Sequence, residues 1–301
     1  MEQQTTSTVQ VPRGAIELYN RYIHGHMPRR EFLEGLKGFA IGGLTLPVLV
    51  EALMPNYARG QQVSPTDPRL TIEYVTVQSP QGNGSIRGLL ARPASVGMYS
   101  LPGILVVHEN RGLNPHIEDV ARRFAVANFI AFAPDALTSV GGYPGDDERG
   151  GELFRTVDRP KMAEDFVAAA NWLRMRADCT GQIGATGFCF GGGIANMLAV
   201  RLGENLAAAA PFYGSAAPAE DVPDIQAAIL VHHGAEDTRL VEAWPEYEAA
   251  LQANNVTYEA HIYPGAGHGF NNDATPARYN QAASEQAMSR TIEWFNQYVR
   301  G

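Results

Sequence analysis

The 301 residues carry 23 Lys and Arg against 32 Asp and Glu, for a formal net charge of −9, and 45% of them are hydrophobic. Such a chain can bury one large α/β core with an extension, and its acidic balance, without a basic stripe, argues against a nucleic-acid partner. Two cysteines ten positions apart are too few for a disulfide framework and show no metal-ligand spacing; with no Walker loop or dinucleotide fingerprint either, no metal and no cofactor are predicted.

In chain order, residues 1–66 read as an N-terminal extension and 67–301 as the main domain. Ile16, Tyr19 and Ile23 fall at helical spacing, as if meant to pack. Pro28-Arg29-Arg30-Glu31-Phe32-Leu33 resembles a twin-arginine export motif. The weakly apolar stretch 38–50 follows, too short and too broken by Gly and Pro for a membrane span. Asn56-Tyr57-Ala58 could precede a cleavage site. Two readings stay open: an exported, periplasmic protein with a twin-arginine signal, or a cytoplasmic one whose helical arm packs on its own body or on a second subunit of a homodimer.

The main domain alternates strand and helix. Residues 71–78 and 86–92 read as an antiparallel edge pair, 103–108 as a central strand, 116–128 as a helix and 129–133 as the next strand. The Gly- and Asp-rich stretch 138–158 is the longest irregular segment and the expected lid or pocket wall, with Tyr143 as a substrate contact. Residues 161–177 read as a helix with Phe166, Ala170 and Leu173 on one face. Residues 181–186 are a buried strand and 191–199 a Gly-opened helix. Later strands are expected over 206–213, 227–233 and 257–263, and helices over 242–254 and 277–298. The alternation predicts an α/β fold, a mostly parallel doubly wound sheet covered on both faces. His232 and His233 project to opposite faces of a strand and make a poor chelate.

Between strand and helix lies Gly187-Phe188-Cys189-Phe190-Gly191, a G-x-C-x-G nucleophile elbow. The turn aims backbone N–H groups and a helix N-terminus at the sulfur, which favours thiolate. An elbow of this kind needs an acid and then a histidine further along the chain. Asp237 follows the strand 227–233, and His268 lies in Gly265-Ala266-Gly267-His268-Gly269-Phe270 beyond the strand 257–263. Both then sit at the carboxyl ends of strands, where the crevice of an open parallel sheet lies. Cys179 reads as a buried hydrophobe near the far end of the elbow strand, out of disulfide reach.

These pieces, together with His108-Glu109-Asn110-Arg111-Gly112-Leu113 and Phe212-Tyr213-Gly214, run in the order of the dienelactone hydrolase family of α/β hydrolases, which the chain resembles over roughly residues 70–300. The resemblance implies a cysteine-dependent hydrolase of small ester or lactone substrates working through an acyl-thioester. Cys189 would be the nucleophile, His268 the proton shuttle and Asp237 its orienting carboxylate. It also implies that Glu109 helps activate the thiol, which requires burial to raise the carboxyl pKa. The N–H groups of Asn110 and Phe190 would form the oxyanion hole; Arg111, Tyr143, Tyr213 and Phe270 are substrate-binding candidates. The family's carboxylate-holding arginines are missing a few residues after His268 and after Asp135, which predicts a preference for neutral substrates. The competing reading is a catalytically retired hydrolase that binds a ligand or partner; the complete triad order speaks against it.

Overall fold

The computed structural model describes residues 11–41, 44–95 and 99–301, so Gly42 and Gly43 of the apolar stretch lie outside the described residues. Helices α1 (Arg13–Ile23), α2 (Arg29–Lys37), α3 (Leu46–Leu53) and the single turn α4 (Tyr57–Gly60) come first. They build a core of their own from Ala15, Tyr19, Ile23, Met27, Phe32, Leu36 and Leu53, with Ile16 packed beside it. The apolar spacing noted in the sequence is thus the buried face of α1. The twin-arginine segment is α2. Its Phe32 and Leu36 are completely buried, and the Tyr22 ring lies flat on Phe32 with centroids 4.7 Å apart.

This helical arm is fastened to its own body. Arg29 pairs with Glu148, the Tyr57 hydroxyl donates to Asp147 (2.7 Å), and the Asn56 N–H donates to the Ala274 carbonyl (2.6 Å). The N–H groups of Gln62 and Val63 donate to the buried Asp119 carboxylate at 3.0 and 2.8 Å. Among the described residues, no helix is long and apolar enough to cross a membrane.

The body follows as β1 (Leu70–Ser79), β2 (Gly84–Pro93), β3 (Leu101–Val107), α5 (Pro115–Val126), β4 (Ile130–Asp135), α6 (Asp147–Phe154), α7 (Arg159–Arg174), β5 (Cys179–Phe188), α8 (Phe190–Leu202), β6 (Ala208–Phe212), β7 (Ala228–Gly234), α9 (Thr238–Ala253), β8 (Tyr258–Tyr263) and α10 (Gln281–Phe295). The strands form one eight-stranded sheet in the order β1-β2-β4-β3-β5-β6-β7-β8. Only β2 runs against its neighbours; β4, β3, β5, β6, β7 and β8 pair in parallel. Strands β4, β6 and β7 are buried along their whole length, as expected where helices cover both faces. Phe166, Leu173, Leu198 and Trp244 from α7, α8 and α9 pack on one face. Ile117, Phe124, Ala287 and Phe295 from α5 and α10 pack on the other. This is the α/β-hydrolase arrangement that the sequence predicts.

The departures are local. The stretch expected to be irregular contains α6. Asp146 caps it through the Arg149 N–H (2.8 Å), and Asp147 and Glu148 lie in its first turn, where carboxylates suit the helix dipole. Gly150 and Gly151 mask that helix in the sequence, yet Gly150 is needed, because a Cβ there would lie 2.4 Å from the Arg111 carbonyl. Helix α10 starts at Gln281 rather than 277, since the Asn280 side chain accepts from the Ala283 N–H (3.1 Å) and sets the N-terminus. Helix α9 begins directly after Asp237.

Truncating Phe32 removes the centre of the arm's core. Phe32→Ala is expected to cost about 3–5 kcal/mol of local stability and to speed trypsin cleavage at Arg29, Arg30 and Lys37, followed by mass spectrometry. Cleavage no faster than in wild type would show that the arm does not depend on this packing.

Candidate active site

The elbow forms because β5 ends and α8 begins with no intervening loop. Cys189 occupies the junction at φ 56°, ψ −113°, a region that a non-glycine residue enters only when its surroundings force it. A Cβ on Gly187 would sit 2.1 Å from the Gly191 carbonyl oxygen, so the turn closes only with glycine there. Cys189 is half-buried. The N–H groups of Gly192 and Gly193 turn back to its carbonyl at 3.0 and 3.4 Å. Phe190 opens α8, so its N–H has no acceptor within the helix.

Asp237 stands at the N-cap of α9 but makes no side-chain cap there. Its Oδ2 instead accepts from His268 Nδ1 at 2.6 Å. That contact fixes the tautomer, leaving Nε2 as the working nitrogen. His268 Nε2 is buried and has no hydrogen-bond partner. One nitrogen of His268, one of His24 and the Cys189 sulfur all lie within 4.8 Å of one another.

His24 was not singled out in the sequence. It ends α1, its Nδ1 meets the Asn20 carbonyl at 2.7 Å, and its Nε2 lies 3.5 Å from Cys189 Sγ. Its ring stands edge-on to His268, centroids 5.0 Å apart. The Ile23 carbonyl beside it accepts from Asn110 Nδ2 (3.0 Å) and Arg111 (3.5 Å). The available signal was a turn, His24-Gly25-His26, directly after the apolar spacing of α1.

Burial alone would push the Cys189 thiol up; the charge of His268 and the hydrogen bond with His24 outweigh it and bring the thiol to about 6. For His268, burial would lower the pKa, but the thiolate charge and the Asp237 hydrogen bond raise it to about 10. Asp237 stays a carboxylate: burial opposes its charge, and the His268 hydrogen bond wins. At neutral pH the pair is therefore thiolate and imidazolium.

Glu109 behaves differently from the sequence expectation. It is buried, and burial would raise its pKa, but the charges of Arg278, His116 and Arg111 prevail and hold it below its ordinary value. Its Oε2 accepts from Asn272 Nδ2 (3.3 Å). A lowered carboxyl pKa makes a weaker acceptor for a thiol proton, and it is His24 that makes the second contact with the sulfur.

The substrate candidates divide. Tyr213 and Phe270 are fully buried. Tyr213 packs edge-on to His268 (5.0 Å) and to Phe270 (5.4 Å), so the two support the imidazole rather than line a pocket. Arg111 is buried and is spent on the Ile23 carbonyl, the Asp147 carbonyl (3.3 Å) and the nearby Asp147 carboxylate (3.9 Å). Tyr143 donates to Asp147 Oδ1 at 2.8 Å and faces a cavity against Tyr22 and Ile23 of the arm. Arg278, missed because it lies ten residues past His268, lines a cavity of about 490 Å³ with His268, Ile16 and Asn20. Its guanidinium rests over the Tyr19 ring, and its buried Nε has no partner among the described residues. His232 is a core residue, held by the Tyr263 and Thr291 hydroxyls at 2.9 and 3.0 Å. Cys179 and Cys189 flank the ten-residue strand β5 at opposite ends, far beyond disulfide reach.

Residues 86–299 match the dienelactone hydrolase family. A hydrolase fragment of Escherichia coli K12, YghX, is 55% identical over 115 residues, 38% of this chain and 97% of that one. A provisionally named carboxymethylenebutenolidase of Synechocystis is 33% identical over 245 residues, covering 74% of this chain and 96% of that protein. The crystal structure of a provisionally assigned dienelactone hydrolase from Klebsiella pneumoniae superposes with a TM-score of 0.64 at 27% identity, covering 76% of this chain and all of that one.

The ion pair sets a pH signature. The sulfur becomes nucleophilic as pH rises through about 6, where an unperturbed cysteine would wait until about 8.5. Rates of iodoacetamide alkylation should rise through about pH 6 and then level off, and His268→Ala should move that midpoint up by more than about one unit. A wild-type midpoint above about 8 would rule the ion pair out.

Proposed function

The chain belongs to the dienelactone hydrolase family, and from that premise we propose that it hydrolyses small esters or lactones through a thioester on Cys189. The observation that carries this reading is the line from Asp237 through His268 to a sulfur held in a strained elbow. The Cys189 thiolate adds to the acyl carbon. The developing oxyanion takes hydrogen bonds from the Phe190 and Asn110 N–H groups. His268 Nε2 gives its proton to the departing alkoxide, which in a lactone remains tethered to the acyl group. Water then attacks the thioester, His268 accepts its proton, and the thiolate leaves with the acid released. Asp237 keeps the imidazole in its tautomer throughout.

The N-terminal arm belongs to the working enzyme in this proposal. It brings His24 to the thiol and walls the cavity beside His268 through Ile16 and Asn20. The complete set of acid, base and nucleophile supports hydrolysis over a retired binding scaffold.

Arg278 changes the substrate expectation. With no arginine soon after His268, the sequence pointed to neutral substrates. The Arg278 guanidinium, on a residue that lines the cavity beside His268, supports a substrate carrying a carboxylate instead. Burying such a group needs a paired cation.

Two measurements test the proposal. Cys189→Ala and His268→Ala should each lower kcat for a short p-nitrophenyl ester by about three orders of magnitude or more, with the circular dichroism spectrum intact. Retention of a tenth of wild-type activity would end the assignment. In Arg278→Gln, kcat/KM for a carboxylated lactone should fall by about tenfold to a hundredfold, the loss of one charged hydrogen bond, and more than for its neutral analogue. An equal fall for both compounds would restore the neutral-substrate reading.

A further inference from the structure

We propose that His24, Cys189 and His268 form a binding site for a borderline divalent cation, Zn²⁺ being the best fit, and that its occupation switches hydrolysis off. The three side chains supply two imidazole nitrogens and a thiolate, the ligand types zinc prefers. Zn–S bonds of about 2.3 Å and Zn–N bonds of about 2.0–2.1 Å in a tetrahedron place sulfur and nitrogen about 3.5 Å apart. His24 Nε2 and Cys189 Sγ are already 3.5 Å apart, and one nitrogen of His268 is within 4.8 Å of both other ligands.

The second observation is how the rings are held. Each imidazole commits Nδ1 to an oxygen acceptor, His24 to the Asn20 carbonyl at 2.7 Å and His268 to the Asp237 carboxylate at 2.6 Å. That leaves each Nε2 as the nitrogen open to a metal once it gives up its proton, the arrangement that orients histidines on zinc. His268 Nε2 is buried and unpartnered, and its side chain is only 9% exposed. Asn110 and Arg111 anchor the Ile23 carbonyl next to His24, so the third ligand is positioned before any ion arrives.

Binding would form one Zn–S and two Zn–N bonds, releasing to solvent the proton shared by thiol and imidazole. It would consume the nucleophile and the general base together. The fourth position on the metal would take water. The inference rests on ligand geometry and not on which ester is cleaved.

The experiment uses the full-length, metal-free protein and reads metal binding without substrate. Calorimetric titration with Zn²⁺ should give one site per chain. Co²⁺ should give the intense near-ultraviolet band of a thiolate–cobalt bond together with tetrahedral visible bands. His24→Ala should weaken Zn²⁺ at least tenfold, while His24→Asp, which keeps a ligand atom there, should recover part of the loss; circular dichroism checks that both fold. Zn²⁺ should abolish wild-type ester hydrolysis reversibly to a chelator. Absence of the thiolate–cobalt band in wild type, or equal Zn²⁺ affinity in wild type and His24→Ala, overturns the site. A protein that binds Zn²⁺ in this way but hydrolyses no ester would overturn the hydrolase reading and leave the metal site standing.

Discussion

The backbone of Cys189 is the constraint on which the rest of the site depends. A positive φ at a cysteine costs of order 1–3 kcal/mol, and something must hold it there. Two close approaches do so. Helix α8 begins immediately after β5, so Gly187 and Gly191 share space that no Cβ could enter. Gly192 and Gly214 meet in the same way, the ideal Cβ of Gly214 falling 2.3 Å from the Gly192 carbonyl carbon. The sheet thus fixes the sulfur above the ends of β3 and β6, and the strain is maintained by burial of the strands on either side rather than by any contact of the thiol.

Once the sulfur is fixed, the charges around it follow from distance. His268 is held by Asp237, and Asp237 is free to hold it because it declines the cap of α9 that its position offers. The aromatic ring of Tyr213 closes the space behind the imidazole. In surroundings of reduced dielectric a thiolate and an imidazolium stabilise each other more than water would allow, which is why thiol and imidazole shift in opposite directions. Glu109 is ionised for the same reason, facing Arg278, Arg111 and His116 instead of the thiol.

The fold was legible because buried parallel strands are continuous apolar runs separated by amphipathic helices, and Cys189, Asp237 and His268 each sit in a glycine-rich or strand-end context that few other roles demand. What stayed hidden depended on contacts across long sequence separations. Nothing near His24 announces the sulfur 165 positions away, and nothing near Arg278 shows that a turn over 269–280 returns it to the cavity of His268. Nor does anything near Glu109 announce the charge of Arg278, from 169 positions away, that helps to lower its pKa. Helix α6 was obscured by two glycines, one of them demanded by the Arg111 carbonyl and not by any local preference.

The arm couples its own packing to the site. Its residues form a hydrophobic core distinct from the two that sandwich the sheet. Yet its one turn between α1 and α2 contributes an imidazole to the thiol and a backbone carbonyl to Asn110 and Arg111. The phenylalanine that completes the twin-arginine pattern is buried at the centre of that core, and the first of the two arginines is paired with Glu148 at the start of α6. A sequence pattern that an export system could read is, in the folded chain, the helix that props His24 over the nucleophile. The surroundings of Cys189 therefore depend on whether those two dozen residues are folded on the body. With them in place the sulfur meets a second imidazole; without them it would face His268 alone.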